Sequence, residues 1–257
     1  MKAAVGICRF CGQFGRLVRA HAIPASFFRS LKGTAKYSVL FDANVSLGPV
    51  TTIYQAGVYD TGILCERCEP KFCDLDTYGW EILGKLSLTN PIYDASAGGY
   101  THRIKCDTDK IRRFILAVLW RASVSSHSFY SEVKLGPYES QVKRRLFYPT
   151  PLRASEFLTV VMRLDTHALG PYKDVLFYPF IGGRDGLNIH TLFLPKGLKI
   201  MVITGRGNFA PVFQYFSIRD PKSFLLVDCP EQFMREINYI PAAIAKMRRR
   251  AHLDLNV

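Results

Sequence analysis

The sequence predicts an α+β protein in which an N-terminal zinc module precedes a larger domain of helices and strands. Two Cys-x-x-Cys pairs lie near the N-terminus, in "CRFCG" (8–12) and "ILCERCE" (63–69). The middle of the chain has the apolar period of helices, and its later part has the alternation of strands. We therefore predict a zinc module at residues 1–86 and a basic α+β domain at 101–257, with helices, then an antiparallel sheet, then a C-terminal helix.

The composition indicates a globular chain with a strong positive charge. The 257 residues are 48% hydrophobic, which is enough to bury a core. There are 34 Lys and Arg against 21 Asp and Glu, for a formal net charge of +13. This excess favours a polyanionic partner, although a solvated basic surface that keeps the protein in solution also explains it.

Neither a membrane span nor a secretory signal is visible in the sequence. No stretch approaches the ~18 apolar residues that a spanning helix needs. The first residues, "MKAAVGICRFCG", become polar too soon for a signal peptide. We expect a cytoplasmic protein with no membrane partner.

The predicted location decides how the cysteines are interpreted. Disulfides rarely persist in a reducing compartment, so two Cys-x-x-Cys pairs indicate a metal site. Four thiolates match the tetrahedral preference of Zn²⁺, and a site with all four positions filled by protein is structural. We predict that zinc is held by Cys8, Cys11, Cys65 and Cys68.

The residues around each pair predict how the zinc module is built. Gly12 supplies a tight turn after the first pair. The second pair follows an extended stretch and leads into residues 69–86, where Pro70 suits a first helical turn and apolar residues recur. The predicted order is a knuckle, strands, the second cysteine pair and a helix. This order is that of a treble clef, in which zinc pins a helix onto a hairpin.

The remaining elements are predicted from periodicity and turn residues. A linker is expected at 87–100, which is rich in Gly, Ser and Asn. Helices are expected at 109–126, 136–147 and 153–165, and strands at 174–182, 188–194, 198–205, 210–218 and 224–228. The chain then continues with helical patterns on either side of Pro241.

The segment "RLVRAHAIPASFFR" (16–29) lies between the two cysteine pairs and supports a resemblance. An apolar strand that ends in His followed by Ile-Pro, between Cys-x-x-Cys and Leu-Cys-x-x-Cys, resembles the zinc-stabilised branch of the HNH endonuclease superfamily. The resemblance covers roughly residues 5–80. It implies that His21 activates water beside a Mg²⁺ or Mn²⁺ ion at a phosphodiester, and it suggests a link to genome defence or mobile elements.

Two positions depart from the HNH pattern. Asp60 and Cys73 stand where the family has its middle Asn and its last His, and Glu69 replaces the His that often follows the fourth Cys. A thiolate is a poor ligand for a hard cation, so Asp76 or Asp74 would have to substitute. The candidate catalytic residues are therefore His21, Asp60 and Asp76. Alternatively, Asp74 and Asp76 simply line the solvent face of a helix, and His21 is an ordinary hydrogen-bonded histidine that packs near the zinc hairpin.

Basic clusters lie outside the zinc module. We expect nucleic acid, DNA in preference to RNA, to contact Lys143, Arg144, Arg145, Arg248, Arg249 and Arg250. Lys110, Arg112 and Arg113 form a further candidate cluster. Two classes of function stay open: a nucleic-acid-binding HNH-like nuclease or its degenerate descendant, and a non-catalytic zinc-stapled adaptor or sensor that acts through a protein partner or a homo-oligomer.

Overall fold

The fold mixes helices and strands, as the sequence predicts. The computed structural model describes residues 4–32, 38–41, 51–54, 57–88, 91–95, 99–153, 155–164, 176–184, 186–195, 197–207, 209 and 211–228. The C-terminal helices predicted around Pro241 lie outside these ranges. The α+β class is confirmed for the described part of the chain.

The N-terminal region consists of short strands and two helices. Its elements are β1 (Val5–Ile7), β2 (Phe14–Arg16), β3 (Ala20–His21), α1 (Ala25–Lys32), β4 (Ser38–Phe41), β5 (Thr51–Tyr54), β6 (Tyr59–Asp60) and α2 (Glu69–Gly79). The strands β1 and β2 form an antiparallel hairpin, and β3 pairs with β6. The helix α2 continues as a π-helical turn at Trp80–Gly84.

The larger region begins with strands and continues with helices. Its first elements are β7 (Ile92–Asp94), β8 (Gly99–Lys105), α3 (Thr108–Val124) and α4 (Glu139–Leu146). Asp107 caps α3 by accepting a hydrogen bond from the Lys110 amide at 3.1 Å. The predicted helices at 109–126 and 136–147 are confirmed. In the described part of the chain, no helix is long and apolar enough to cross a membrane.

A seven-stranded sheet lies in the described part of the larger region. It uses β7, β8, β9 (Leu158–Arg163), β11 (Phe180–Arg184), β12 (Leu187–Leu194), β13 (Leu198–Gly205) and β14 (Ser223–Asp228). The strand order is β11-β12-β13-β9-β14-β8-β7, while β10 (Leu176–Phe177) pairs with β4 in another sheet. The prediction of an antiparallel sheet holds for every pair except β9 and β14, which run parallel.

Two of the predicted elements have the wrong type. Residues 153–165 were expected to be helical, but 158–163 form the strand β9. This segment is buried on both faces at the sheet centre, so its apolar run carries no alternation. Residues 210–218 were expected to be a strand, but they contain the short helix α5 (Pro211–Phe216), which begins at a proline. The expected linker 87–100 contains β7 and the start of β8.

Both predicted domains contribute side chains to one hydrophobic core. Phe72 of α2 stacks on Trp120 of α3 with ring centroids 6.1 Å apart, and Phe27 of α1 stacks on Phe114 at 5.9 Å. Gly79 allows the close approach of α2 to α3, because a Cβ there would lie 2.4 Å from the Phe114 ring. The N-terminal region therefore packs on α3, the longest helix of the described residues, and its separation as a domain stays a prediction.

Candidate metal centre and basic surface

Four cysteine thiols converge at one point of the N-terminal region. The sulfurs of Cys8, Cys11, Cys65 and Cys68 all lie within 4.8 Å of one another, and those of Cys11 and Cys65 are 3.9 Å apart. Zinc–sulfur bonds of about 2.3 Å in a tetrahedron require sulfurs about 3.8 Å apart. The cluster therefore has the size and donor set of a site that could hold a metal ion such as zinc.

Local backbone turns bring these thiols together. Gly12, with φ +73°, closes the first turn by donating its amide hydrogen bond to the Cys8 carbonyl at 2.8 Å. A bridge between Leu17 and Cys65 joins the second pair to the hairpin strand. The Cys65 amide then donates to the Cys8 sulfur at 3.3 Å, as expected where a thiolate needs hydrogen-bond donors.

Electrostatics in the cluster favour a bound cation. Burial opposes ionisation of Cys65, but hydrogen bonds from the Arg67 and Cys68 amides and from neighbouring thiols lower its pKa to about 6. Burial and the hydrogen bonds to Cys65 and Cys11 raise the pKa of the Cys68 thiol. The first thiolate thus suppresses ionisation of the next, and four thiolates require a positive ion between them.

His21 and Asp60 lie on opposite faces of the β3–β6 ribbon. Ala20 is paired with Asp60, and His21 is paired with Tyr59. Since alternate side chains of a strand point to opposite faces, the Asp60 carboxylate points away from the His21 ring. The ring is half-buried and packs near Tyr59 and Phe28, with centroids 5.9 and 6.3 Å away. This pairing therefore gives Asp60 no part in orienting the His21 ring, which is the role that the middle Asn has in the HNH pattern.

The Asp60 carboxylate is used to anchor the end of α3. It accepts hydrogen bonds from the Gly62 amide at 2.6 Å, the Ser126 amide at 2.7 Å and the hydroxyls of Ser125 and Ser126 at 2.9 Å. Burial raises the carboxyl pKa, but these donors outweigh it and leave the pKa below its ordinary value. Asp60 is thus a buried, satisfied anion.

The Asp76 carboxylate is also engaged. It forms a bidentate ion pair with Arg121 of α3, with nitrogen–oxygen distances of 2.8 and 2.5 Å. The Arg121 side chain is completely buried and lies over the Phe72 ring, 5.0 Å from its centroid. Asp76 therefore joins α2 to α3, and its oxygens are directed at a guanidinium.

The structure does not bring His21, Asp60 and Asp76 together as a second metal site. In the described residues, the four cysteines are the one group of His, Cys, Asp or Glu with metal-binding geometry. Cys73, which stands at the position of the last HNH histidine, is exposed and contacts the Glu69 carbonyl of its own helix at 3.9 Å.

The three predicted nucleic-acid contacts of α4 differ in their surroundings. Lys143 donates to the Arg9 carbonyl of the knuckle at 3.0 Å, and Arg145 pairs with Glu156 at 2.8 Å. Arg144 is exposed, and no carboxylate of the described residues forms an ion pair with it. The other three predicted contacts, Arg248, Arg249 and Arg250, lie outside the described residues.

The prediction that Arg112 and Arg113 contact phosphate is wrong. Both are buried, at 4% and 8% exposure. Arg112 donates to the carbonyls of Leu152, Arg153 and Glu156, and Arg113 donates to those of Arg145, Leu146 and Thr150. Their guanidinium groups hold the loop after α4 in place. The neighbouring Lys110 is exposed and lies over the Tyr78 ring.

Sequence reasoning missed three exposed cations beside the thiols. Arg9 and Arg67 lie inside the two Cys-x-x-Cys pairs, and Lys71 lies in the first turn of α2. No carboxylate of the described residues forms an ion pair with any of them. The signal was present in the sequence, because each cysteine pair contains an arginine.

Comparisons of this chain with protein-family models, with curated proteins and with solved structures find no match. The resemblance to the HNH superfamily, which rests on the residues between and around the cysteine pairs, stays a prediction.

Proposed function

We propose that this chain is a zinc-stabilised treble-clef protein of HNH type that binds nucleic acid and does not cleave it. The order of elements supports the treble clef: the hairpin β1–β2 holds the first thiol pair, the ribbon β3–β6 follows, and α2 begins directly after the second pair. Zinc is the metal that a closed site of four thiolates suits best.

The observation that carries this proposal is the hydrogen bond from Lys143 to the Arg9 carbonyl. It fixes the basic end of α4 against the zinc knuckle, and the Lys143 ammonium also lies 5.8 Å from the centroid of the Phe10 ring. We propose that five cations form one basic surface here, with two in the thiol pairs, one in the first turn of α2 and two at the end of α4: Arg9, Arg67, Lys71, Lys143 and Arg144. Such a surface neutralises backbone phosphates, which provide most of the sequence-independent affinity for nucleic acid.

Binding without cleavage is supported by the occupied carboxylates. An HNH-type hydrolysis needs a hard cation near the histidine, with oxygen ligands to hold it. Asp60 and Asp76 instead meet hydroxyls, amides and a guanidinium within the protein. Asp60 points to the other face of the ribbon and Asp76 pairs with Arg121, so among the described residues these acids assemble no metal site beside His21.

We expect charge reversal of the basic surface to weaken binding to nucleic acid of any sequence. Lys71→Glu with Arg144→Glu removes two phosphate contacts, so the slope of log K against log salt falls by about 1.8 for duplex DNA, at about 0.9 for each contact. Fluorescence anisotropy with a labelled duplex over a salt series measures this. Lys105→Glu with Lys222→Glu is the matched control, because it makes the same charge change at two exposed lysines, one at the end of β8 and one directly before β14. An unchanged slope in the first pair contradicts the proposal.

We also expect no His21-dependent cleavage. Plasmid DNA and a structured RNA, incubated with the zinc-loaded protein in Mg²⁺ or Mn²⁺, should remain intact, because no second metal site is assembled among the described residues. Gel electrophoresis beside His21→Ala provides the comparison. Cleavage by the wild type that His21→Ala abolishes would make the protein a nuclease and overturn this part of the proposal.

An exposed apolar face favours the second candidate, an adaptor that binds a protein. Val5, Ile7 and Phe14 of the β1–β2 hairpin are 64–72% exposed, and Ile7 lies directly opposite Phe14. Exposed apolar clusters of this kind occur at protein interfaces. A wild-type protein that fails to bind any nucleic acid at low salt would favour the adaptor.

A further inference from the structure

A pocket opens beside α4, at the edge of the basic surface. It has a volume of about 220 Å³ and lies between α4, the chain that leads into β9 and the end of β13. Its polar lining includes Arg144, Arg145, Ser155, Glu156 and Thr204, and its aromatic lining includes Tyr138 and Phe209. Neither a thiol of the zinc site nor His21 takes part in it.

The wall of this pocket is held rigidly from the core side. Arg112 and Arg113 bind six carbonyls of the chain between Arg145 and Glu156, as described above. Glu156 in turn accepts hydrogen bonds from the Arg153 amide and the Arg145 guanidinium, both at 2.8 Å. Phe157, with φ +50°, is a non-glycine residue in the left-handed region, a strained conformation that a rigid surrounding must maintain.

The charge at the pocket is positive. Arg145 neutralises Glu156, which is the one acidic residue of the lining. Arg144 adds an exposed guanidinium, and no carboxylate of the described residues forms an ion pair with it. Guanidinium groups without acidic partners recognise phosphate through bidentate hydrogen bonds.

The remaining lining suits a planar group. Tyr138 and Phe209 are both half-buried, so part of each ring stays accessible in the pocket. Aromatic side chains beside a basic groove are the elements on which unpaired bases stack. The pocket volume is below the ~300–1,000 Å³ of sites that enclose a whole drug-sized ligand. We therefore expect the pocket to enclose only part of one nucleotide.

We propose that this pocket binds a single unpaired nucleotide, with the phosphate at Arg144 and the base against the aromatic lining. The proposal rests on the proposed function, because it names the part of a nucleic acid that the basic surface receives. The same chemistry is present in a free mononucleotide and in the unpaired end of a strand. The experiment therefore uses both a mononucleotide and a single strand as probes.

The experiment compares the zinc-loaded wild type with Ser155→Trp, which fills the pocket without changing its charge. Ser140→Trp is the matched control, because Ser140 is an exposed residue of α4 outside the lining. The probes are adenosine 5′-monophosphate, adenosine, inorganic phosphate, a labelled single-stranded oligonucleotide and a labelled blunt duplex. Calorimetry measures the small probes, and anisotropy measures the two nucleic acids.

We expect Ser155→Trp to reduce binding of the monophosphate and of the single strand by about tenfold or more, the range of one lost stacking contact, with duplex binding unchanged. Ser140→Trp should bind all probes as the wild type does. If the monophosphate binds while neither nucleic acid does, the pocket takes a free nucleotide and the proposed function fails. If the duplex binds but the monophosphate does not, the pocket proposal is overturned and the proposed function stands. The pocket proposal is also overturned if inorganic phosphate binds as tightly as the monophosphate, and the binding of the two nucleic acids then decides the proposed function.

Discussion

Replacing Cys65 with Ser is expected to release the metal and to unfold the N-terminal region. Cys65 links the thiol cluster to the hairpin through its bridge to Leu17 and its amide bond to the Cys8 sulfur. Structural zinc contributes about 10–16 kcal/mol of binding free energy in small zinc modules, and that energy is also folding energy. Whole domains are stable by only about 5–15 kcal/mol, so the loss exceeds what the chain can spare.

The effect should extend beyond the zinc module. The Phe10 ring of the knuckle contacts the rings of Phe72 and Trp120, with centroids 5.3 and 5.5 Å away. Cys8, Cys65 and Cys68 belong to the same hydrophobic core as α3. Loss of zinc therefore exposes one side of α3, and we expect the structure that remains to unfold at a temperature tens of degrees below that of the wild type.

Elemental analysis and thermal denaturation test this expectation together. Cys73→Ser is the matched control, since the Cys73 thiol is exposed and lies outside the cluster. The wild type and the control should each contain about one zinc ion per chain, as a single closed four-thiolate site predicts. A Cys65→Ser protein that keeps its zinc, or a wild type that contains none after careful purification, contradicts the assignment of this site.

The cluster of four thiols was predictable because a short local pattern identifies it. Two Cys-x-x-Cys pairs give the donor type, the number of donors and the closed site without any knowledge of tertiary contacts. The long helix α3 was predictable for a similar reason, since the apolar period of its residues is local in sequence. Local patterns of this kind can be interpreted without knowledge of the tertiary contacts.

The strand β9 and the helix α5 were mistaken because burial changed the meaning of their patterns. "LTVVMR" of β9 lies at the sheet centre between β13 and β14. Its successive side chains are buried on both faces, so no polar alternation remains. In α5, the aromatic residues of "PVFQYF" suggest a strand, but Pro211 at the first position starts a helical turn. Periodicity alone could not separate these alternatives.

The roles of the candidate acids could not be predicted because their partners are far away in sequence. Asp60 meets Ser126, which is 66 residues later, and Asp76 meets Arg121, which is 45 residues later. The sequence shows that a carboxylate is present near the zinc module. It does not show that a hydroxyl, an amide or a guanidinium already occupies its oxygens.

Arg121→Met is expected to destabilise the protein by about 3–5 kcal/mol, because removal of one partner leaves the other charge buried and unpaired. The Arg121 side chain is fully buried, while that of Asp76 is 19% exposed, so water can only partly replace the lost guanidinium. Arg121 also donates to the Ala117 carbonyl at 3.2 Å and covers the Phe72 ring. The change therefore acts where α2 packs on α3.

Urea denaturation of single and double variants separates the ion pair from the packing. Arg121→Met with Asp76→Leu should recover most of the lost stability, because an apolar pair of similar volume needs no charge compensation. Arg16→Met is the matched control: its ion pair with Glu66 is exposed and 3.9 Å long, so its loss should cost under about 1 kcal/mol. If Arg121→Met lowers the free energy of unfolding as little as this control does, the ion pair does not hold α2 on α3. The Asp76 carboxylate would then be available for another role, including the metal-binding role that the HNH resemblance suggests.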